Sequence, residues 1–466
     1  MKVHAINFYI PLCLVSSTIA HFTPGSLHRK YARSAIDPAG YGATSAHVPT
    51  TPLTSDGAQP KLQGYGPTVG TAPSSCDQSN PNACQTCQKG VVFSPELKQL
   101  VNLRLEKSAN HSWEWGTQAE WILEGKYPSL SVYSDTQLPL NPKANLPYPA
   151  ELFTIIDPIL QRRAPGIGPI IVDDAAGDPA SLLIGVMVMG ATVKNSPYGW
   201  DQAYYNQVAK DQIDFLLQKI RRSKEGAVSH RVKELQLWDD NLFMAPPSIM
   251  YYGAAMSDLY LVQFGYEQAK AYRQVTQDPV TKTRYHILLG SYEDKTLWST
   301  GNGWVTAGCM RMWATLNLIQ DPEIKARAKA WQDDLIEWTI EIIVGAYSFQ
   351  SPTTFLLPDR YTTPGTFDEV SGTSLLAASA YRVAVARPDL IHRLPLDKIN
   401  CARSAIITNH INPINGSVAP VINPLDWSKK ALPGVVSPEG QAFVLFMENA
   451  WQYFIRSPAG RAYQDS

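Results

Sequence analysis

Four times the chain opens a segment in the same way, with a short polar residue, a proline and often a glutamate. The instances are Ser94-Pro95-Glu96, Asp178-Pro179, Asp321-Pro322-Glu323 and Ser437-Pro438-Glu439. A side-chain oxygen at such a start accepts an orphan N–H of the first helical turn. Proline lacks only a donor that has no partner there, and glutamate suits the positive end of the helix. Apolar residues recur at helical spacing elsewhere: Tyr205, Ala209, Ile213, Leu216, Leu217 and Ile220 in one segment, Ile324, Ala328, Trp331, Leu335, Trp338 and Ile342 in another. Two-residue alternation bounded by hairpin turns is scarce, so the chain reads as all-α. Helices spread over residues 89–466 are too many for one simple bundle. A double ring of helices gives every amphipathic helix a partner face, and an irregular superhelix of helix pairs leaves the same trace.

The stretch ahead of these helices is different in kind. Residues 1–20, MKVHAINFYIPLCLVSSTIA, have a lysine near the start, an apolar centre and small residues before Ala20, the pattern of a secretory signal peptide. The apolar part is too short for a stable membrane anchor. Residues 21–88 are rich in Pro, Gly, Ser, Thr and Ala without periodicity and read as an extended arm or linker. A secreted, extracellular protein is therefore expected, and the sequons Asn110-His111-Ser112 and Asn415-Gly416-Ser417 agree with a glycoprotein. Past Cys13, Cys76, Cys84 and Cys87 cluster while Cys309 and Cys401 stand apart. In an oxidising compartment a small local disulfide around Cys84-Gln85-Thr86-Cys87 is favoured over zinc, because no second Cys pair matches it. A net charge of −1 lacks the basic patch that nucleic-acid binding needs.

Two stretches carry candidate chemistry. In QLWDDNLFMAPP, Gln236–Pro247, the acids Asp239 and Asp240 follow Trp238 and precede Leu242, Phe243 and Met244. A carboxyl against that apolar surface is partly desolvated, and an adjacent acid raises its pKa further, towards values useful for proton transfer. A solvated helix end with Asp as cap gives the same pattern. In LWSTGNGWVTAGCMRMW, Gly301-Asn302-Gly303 reads as a tight turn between Trp298 and Trp304, with a helix following and Trp304 free to face a cavity. A plain connecting turn with two core tryptophans is the alternative. His286, in TRYHILLGSYED, reads on its own as a structural group. There is no Ser-His-Asp spacing, no metal-ligand motif and no phosphate loop; no metal or organic cofactor is expected.

Taken in order, WDDNLFMAPP, YHILLGSYED and WSTGNGW resemble the unsaturated rhamnogalacturonyl hydrolases of glycoside hydrolase family 105. SWEWGTQAEWILE, FDEVSGTSLLAASAYRVA and VSPEGQAFVLFMENAW resemble its secreted fungal branch, so the resemblance runs from about residue 93 to the end. It implies an (α/α)6 barrel, a six-hairpin toroid, over 89–466 with the pocket at one end of the inner ring. It also implies removal of the 4,5-unsaturated uronic acid from lyase-generated pectic oligosaccharides by hydration of the C4=C5 bond. The motif places the catalytic acid on Asp240 and the active-site histidine on His286. Trp238, Asp239, Trp298, Asn302 and Trp304 follow as substrate-binding candidates. Trp113, Trp115, Asp173, Asp174 and Asp178 are further pocket candidates without an aligned role. Bacterial members carry an arginine between the two tryptophans where this chain has Ser299-Thr300. Two other readings stay open: a conventional inverting glycosidase using Glu439, Asp368 or Glu369 as second carboxylate, and a catalytically silent carbohydrate-binding protein. A lyase would want a basic neutraliser beside the uronate, and no basic cluster adjoins these motifs in sequence.

Overall fold

The computed structural model describes residues 91–464. The expected signal segment, the arm, and Cys76, Cys84 and Cys87 lie outside these residues. Cys401 is engaged in a disulfide, and Cys309 is a buried free thiol.

Twelve helices alternate between two roles along the chain. Helices Ser112–Gly125, Leu183–Thr192, Pro246–Ala255, Ser299–Leu318, Val370–Ala386 and Pro438–Arg456 are buried over most of their length, and every residue of Leu183–Thr192 is buried. A helix apolar all round must be enclosed by others. Helices Pro95–Ser108, Ala150–Leu160, Gln202–Gln218, Leu259–Thr276, Pro322–Tyr347 and Leu396–Asn409 bury only one stripe each. Each member of the buried set packs on the next, and the last, Pro438–Arg456, returns to pack on the first, Ser112–Gly125. The ring therefore closes: six inner helices are sheathed by six outer ones in an (α/α)6 barrel. Closure is the property that helical periodicity leaves open.

Three of the four proline starts act as caps. Ser94 Oγ accepts Leu97 N–H, Asp321 Oδ1 accepts Glu323 and Ile324 N–H, and Ser437 Oγ accepts Gly440 N–H. Asp178 is the exception. Gly177 takes the cap position, Asp178 opens a 3-10 turn over Asp178–Leu182, and its side chain lines a cavity. Two further expectations are corrected. Pro246 and Pro247 open an inner helix rather than ending a segment, since proline is well suited to a first turn. Gly301-Asn302-Gly303 is the first turn of Ser299–Leu318, not a connecting turn.

The far end of the inner ring is filled by charge. Arg311 bonds Glu120 and, at 2.6 Å, Glu124, and Arg382 reaches Glu124 at 3.1 Å, all four side chains being buried. Among the described residues no helix is long and apolar enough to cross a membrane.

Candidate active site

A short antiparallel pair joins the two motif segments. Leu237–Trp238 pairs with Ile287–Leu288, and Asp239 N–H donates to His286 C=O at 2.9 Å. Residues nearly fifty positions apart in sequence are thereby zipped side by side, and the next residue, Asp240, starts the helical turn Asn241–Met244. Asp239, Asp240 and His286 are the group whose potential ligand atoms lie within 4.8 Å of one another.

The arrangement is electrostatically unusual. Asp239 is fully buried, and neither of its oxygens nor Asp240 Oδ1 has a hydrogen-bond partner of good geometry, the Asp240 N–H being the one backbone donor close enough to act on the pair. Burial pushes the Asp239 carboxyl well above the usual range, and the neighbouring Asp240 charge adds to it. Burial also raises Asp240, with His286 opposing. Two adjacent carboxyls whose ionisation burial opposes titrate as a unit. His286 is fixed by its other nitrogen: Nδ1 lies 3.1 Å from Asp294 Oδ2, leaving Nε2 without a partner and free for the carboxyl pair or a substrate. Burial works to raise Asp294, but its bonds to His286 and Thr296 bring it well below the usual range.

Asp240 and His286 open onto a cavity of about 200 Å³ at the end of the barrel where the inner helices begin. Its walls are aromatic. Trp238, Trp298, Trp304, Trp113 and Trp427 line it, with Trp238 stacked on His230 at 5.0 Å and met edge-on by His286 and Trp427. Such rings offer flat apolar faces to a sugar while shielding the acids from water. Trp298 is held in place by its Nε1–H bond to Asp359 and its contact with His286, and Trp304 by Phe243 and Phe443.

Three more acids face the same space. Asp173 is anchored by Ser112 Oγ and Ala175 N–H, and Glu439 accepts Trp113 Nε1–H at 2.5 Å. Asp178 lies 3.7 Å from His230 Nε2. Burial lifts Asp178 well above the ordinary range, helped by the charges of Asp173 and Asp240; burial and Glu114 do the same for Glu439. His230 is held down to about 3 by burial and the Arg231 charge, so it is neutral.

Of the residues singled out from sequence, Trp238, Asp240, His286, Trp298 and Trp304 line the cavity together, with Trp113, Asp173 and Asp178. Asp239 lies directly beneath Asp240 without reaching the cavity wall. Asn302 is no substrate group: its amide bonds Arg284 N–H and C=O and Trp298 C=O, clamping the His286 segment to the helix. Trp115 turns away to donate to Ala109 C=O, and Asp174 is exposed beside Lys233. Glu369 caps Val370–Ala386 by accepting Ser371 and Gly372 N–H, and Asp368 accepts from Thr354, so neither enters the cavity. His230, Arg231, Met244 and Trp427 line it without having been singled out. Arg231 in particular puts a cation on the cavity wall.

Gly301 is a glycine for a steric reason. A Cβ there would sit 2.3 Å from Asp239 Oδ2. Gly301→Ala must displace the buried carboxyl or the helix start. A loss of about 1–3 kcal/mol in unfolding free energy is expected, together with at least a tenfold fall in turnover. Denaturant unfolding and initial rates on the same preparation check both.

Residues 198–336 match the family model of Glycosyl Hydrolase Family 88, a span that contains Trp238, Asp240, His286, Trp298 and Trp304. No curated protein matches the chain. Among solved structures, a possible member of the GH105 family from Salmonella enterica serovar Paratyphi A shares 15% identity at TM-score 0.57, covering 81% of this chain and 99% of that one. One from Klebsiella pneumoniae does so at 15% and 0.58, covering 81% and 98%. An unsaturated glucuronyl hydrolase from Bacillus sp. GL1, described as responsible for glycosaminoglycan degradation, shares 13% at 0.51, covering 77% and 95%. These structures share the barrel, and the family 88 sequence lies across the cavity that the barrel presents. Over residues 198–336 the chain is similar to Glycosyl Hydrolase Family 88, and its (α/α)6 barrel is the fold of the solved family 105 and unsaturated glucuronyl hydrolase structures.

Proposed function

We propose that the enzyme removes a 4,5-unsaturated uronic acid from the non-reducing end of lyase-generated oligosaccharides, pectic rhamnogalacturonan fragments being the preferred class. The observation that carries this reading is the Asp239–Asp240 pair, a buried acid beside a half-buried one with both carboxyls raised by burial, opening through Asp240 alone onto a tryptophan-walled cavity beside His286. Ordinary glycoside hydrolysis uses two carboxylates flanking the scissile bond. Hydration of an enol ether needs instead one acid able to give a proton to carbon, which a desolvated, proton-holding carboxyl is suited to do.

In this mechanism Asp240 delivers the pair's proton to C4 as positive charge develops at C5. Water attacks C5 and returns its proton to Asp240, so the acid is regenerated. The C5 hemiketal opens to a ketone, the ring oxygen stays on C1 as a hemiacetal hydroxyl, and collapse there releases the glycosidic oxygen on the leaving sugar. Water is consumed once. His286, oriented by Asp294, steadies the Asp240 carboxyl and the incoming water; Asp178, kept protonated, donates a hydrogen bond to a sugar hydroxyl. Trp238 and Trp427 supply the faces on which the sugar rings lie.

The reading is tested by the ultraviolet absorbance of the conjugated alkene. It is expected to disappear on lyase-digested rhamnogalacturonan, while saturated uronides stay uncleaved. Cleavage of the saturated series would favour a conventional glycosidase with Glu439 as second carboxylate. Because Asp240 acts protonated and its titration is shifted upwards, kcat/KM should be sustained through mildly acidic pH. It should fall as pH rises through an apparent pKa above the ordinary aspartate value of 3.8. A profile that rises across that range instead would assign Asp240 as a base. Asp239, Asp240 and His286 are also a possible cation set, and on this mechanism prolonged chelation leaves the rate unchanged.

Export is part of the proposal. Asn110 and Asn415 are both exposed and Cys401 is in a disulfide, as an oxidising destination favours.

A further inference from the structure

Any substrate bearing a carboxylate meets an awkward cavity, because Asp173, Asp178, Asp240 and Glu439 all line it. The start of the inner helix Ser299–Leu318 offers no compensation. Ser299 and Thr300 are fully buried, and the Thr300 hydroxyl is spent on Glu369 at 2.9 Å. His230 is buried and neutral, and His286, held through Nδ1 by Asp294, turns Nε2 to the acid pair. One permanent cation remains on the wall, Arg231, on the loop between the outer helix Gln202–Gln218 and the Leu237–Trp238 strand.

Arg231 has the state of a group waiting for an anion. Its guanidinium makes no hydrogen bond among the described residues. The nearest carboxylate, Asp174, is 4.0 Å away, exposed, and closer to Lys233 at 3.2 Å. The side chain lies over the Trp238 ring at 5.6 Å, on the wall next to the catalytic pair. Its backbone is pinned: Arg231 N–H donates to Ser229 Oγ, Ser229 Oγ–H donates back to Arg231 C=O, and the residue bridges Ala175 beside the acidic loop. A planar fork with free donors, lying over a ring and held by a fixed backbone, is suited to bidentate carboxylate recognition.

We infer that Arg231 grips the carboxylate of the substrate and is the residue that selects a free uronate over its ester or a neutral sugar. This rests on the proposed action on unsaturated uronides. It places the carboxylate anchor on a loop that adjoins Trp238.

The test is a matched pair of unsaturated uronides, one a free acid and one its methyl ester, given to wild type, Arg231→Met and Arg231→Lys. Wild type is expected to favour the acid in kcat/KM by roughly 10- to 100-fold, the range of a charge-assisted hydrogen-bond pair. Arg231→Met should erase that preference through a raised KM for the acid at nearly unchanged kcat. It should leave ester turnover intact, which also reports a folded site. Arg231→Lys should restore part of the preference. An Arg231→Met enzyme that keeps the wild-type preference overturns the inference and leaves the alkene-hydration reading standing, as does equal loss on acid and ester. A wild type that turns over neither compound overturns both.

Discussion

Asp240→Asn is expected to lower kcat by about 10²- to 10⁴-fold, the usual contribution of a positioned proton donor, with KM changed only a few-fold. The amide is nearly isosteric, so the tryptophan walls and the sugar contacts persist. Stability should not fall. Asp240 is raised by burial and adjoins a second buried acid, so replacing it by a neutral group removes an ionisation that the fold resists. A variant that is inactive yet melts at or above the wild-type temperature is the signature of a chemical role. An inactive variant that also melts well below wild type would point to a structural one. Steady-state kinetics and a thermal melt on one preparation decide between them.

Arg311→Met is expected to give the largest loss of stability, about 3–5 kcal/mol, with little effect on the rate of enzyme that remains folded. Arg311, on Ser299–Leu318, reaches across the ring to Glu120 and Glu124 on Ser112–Gly125, deep in the barrel at the end away from the cavity. Removing it strands two buried carboxylates with only Arg382 to share between them. The loss comes from the uncompensated charges rather than from the bridge itself. Adding Glu120→Gln and Glu124→Gln to Arg311→Met should therefore recover a good part of it, a non-additivity that a denaturant-unfolding cycle measures. If the triple variant is less stable than Arg311→Met alone, the network contributes through geometry instead.

Much of this architecture is written in short-range pattern. The Ser94, Asp321 and Ser437 caps and the stripes of the outer helices follow from local chemistry, and their sequence reading agrees with the structure. Ring closure does not show in a period of 3.6. A signal for it exists in the alternation of one-stripe helices with helices such as LIGVMVMGAT, whose lack of any polar face demands enclosure. The Gly301-Asn302-Gly303 segment reads as a turn because glycine punctuates turns. Here the glycine answers to a long-range contact, the Asp239 carboxyl in place of a Cβ, which local reasoning does not reach. Asn302, which the resemblance implies as a sugar ligand, instead clamps Arg284 of the His286 segment.

The site divides in the same way. Asp240, His286, Trp238, Trp298 and Trp304 sit in compact motifs, and the structure brings them to one cavity. Arg231 and Trp427 come from irregular segments with no periodicity to mark them. Arg231 is placed by a single bridge to Ala175, and Trp427 by a hairpin of Ile422–Asn423 with Asp426–Lys430. Asp178 follows the helix-start pattern so closely that its cap reading hides its position in the cavity. Groups delivered by loops are the part of a site that sequence shows least, because their place is fixed by partners far along the chain.

The central claim is that water adds across the C4=C5 bond rather than to the anomeric carbon. The most direct measurement is to run the reaction in deuterated water and, separately, in ¹⁸O-water, and locate the label by nuclear magnetic resonance and mass spectrometry. Hydration through Asp240 predicts one deuteron at C4 of the released uronic acid and the heavy oxygen at its C5. The alkene is lost, and no label enters C1 or the leaving sugar. Heavy oxygen at C1 with the double bond intact would contradict the account and assign the cavity to ordinary glycoside hydrolysis.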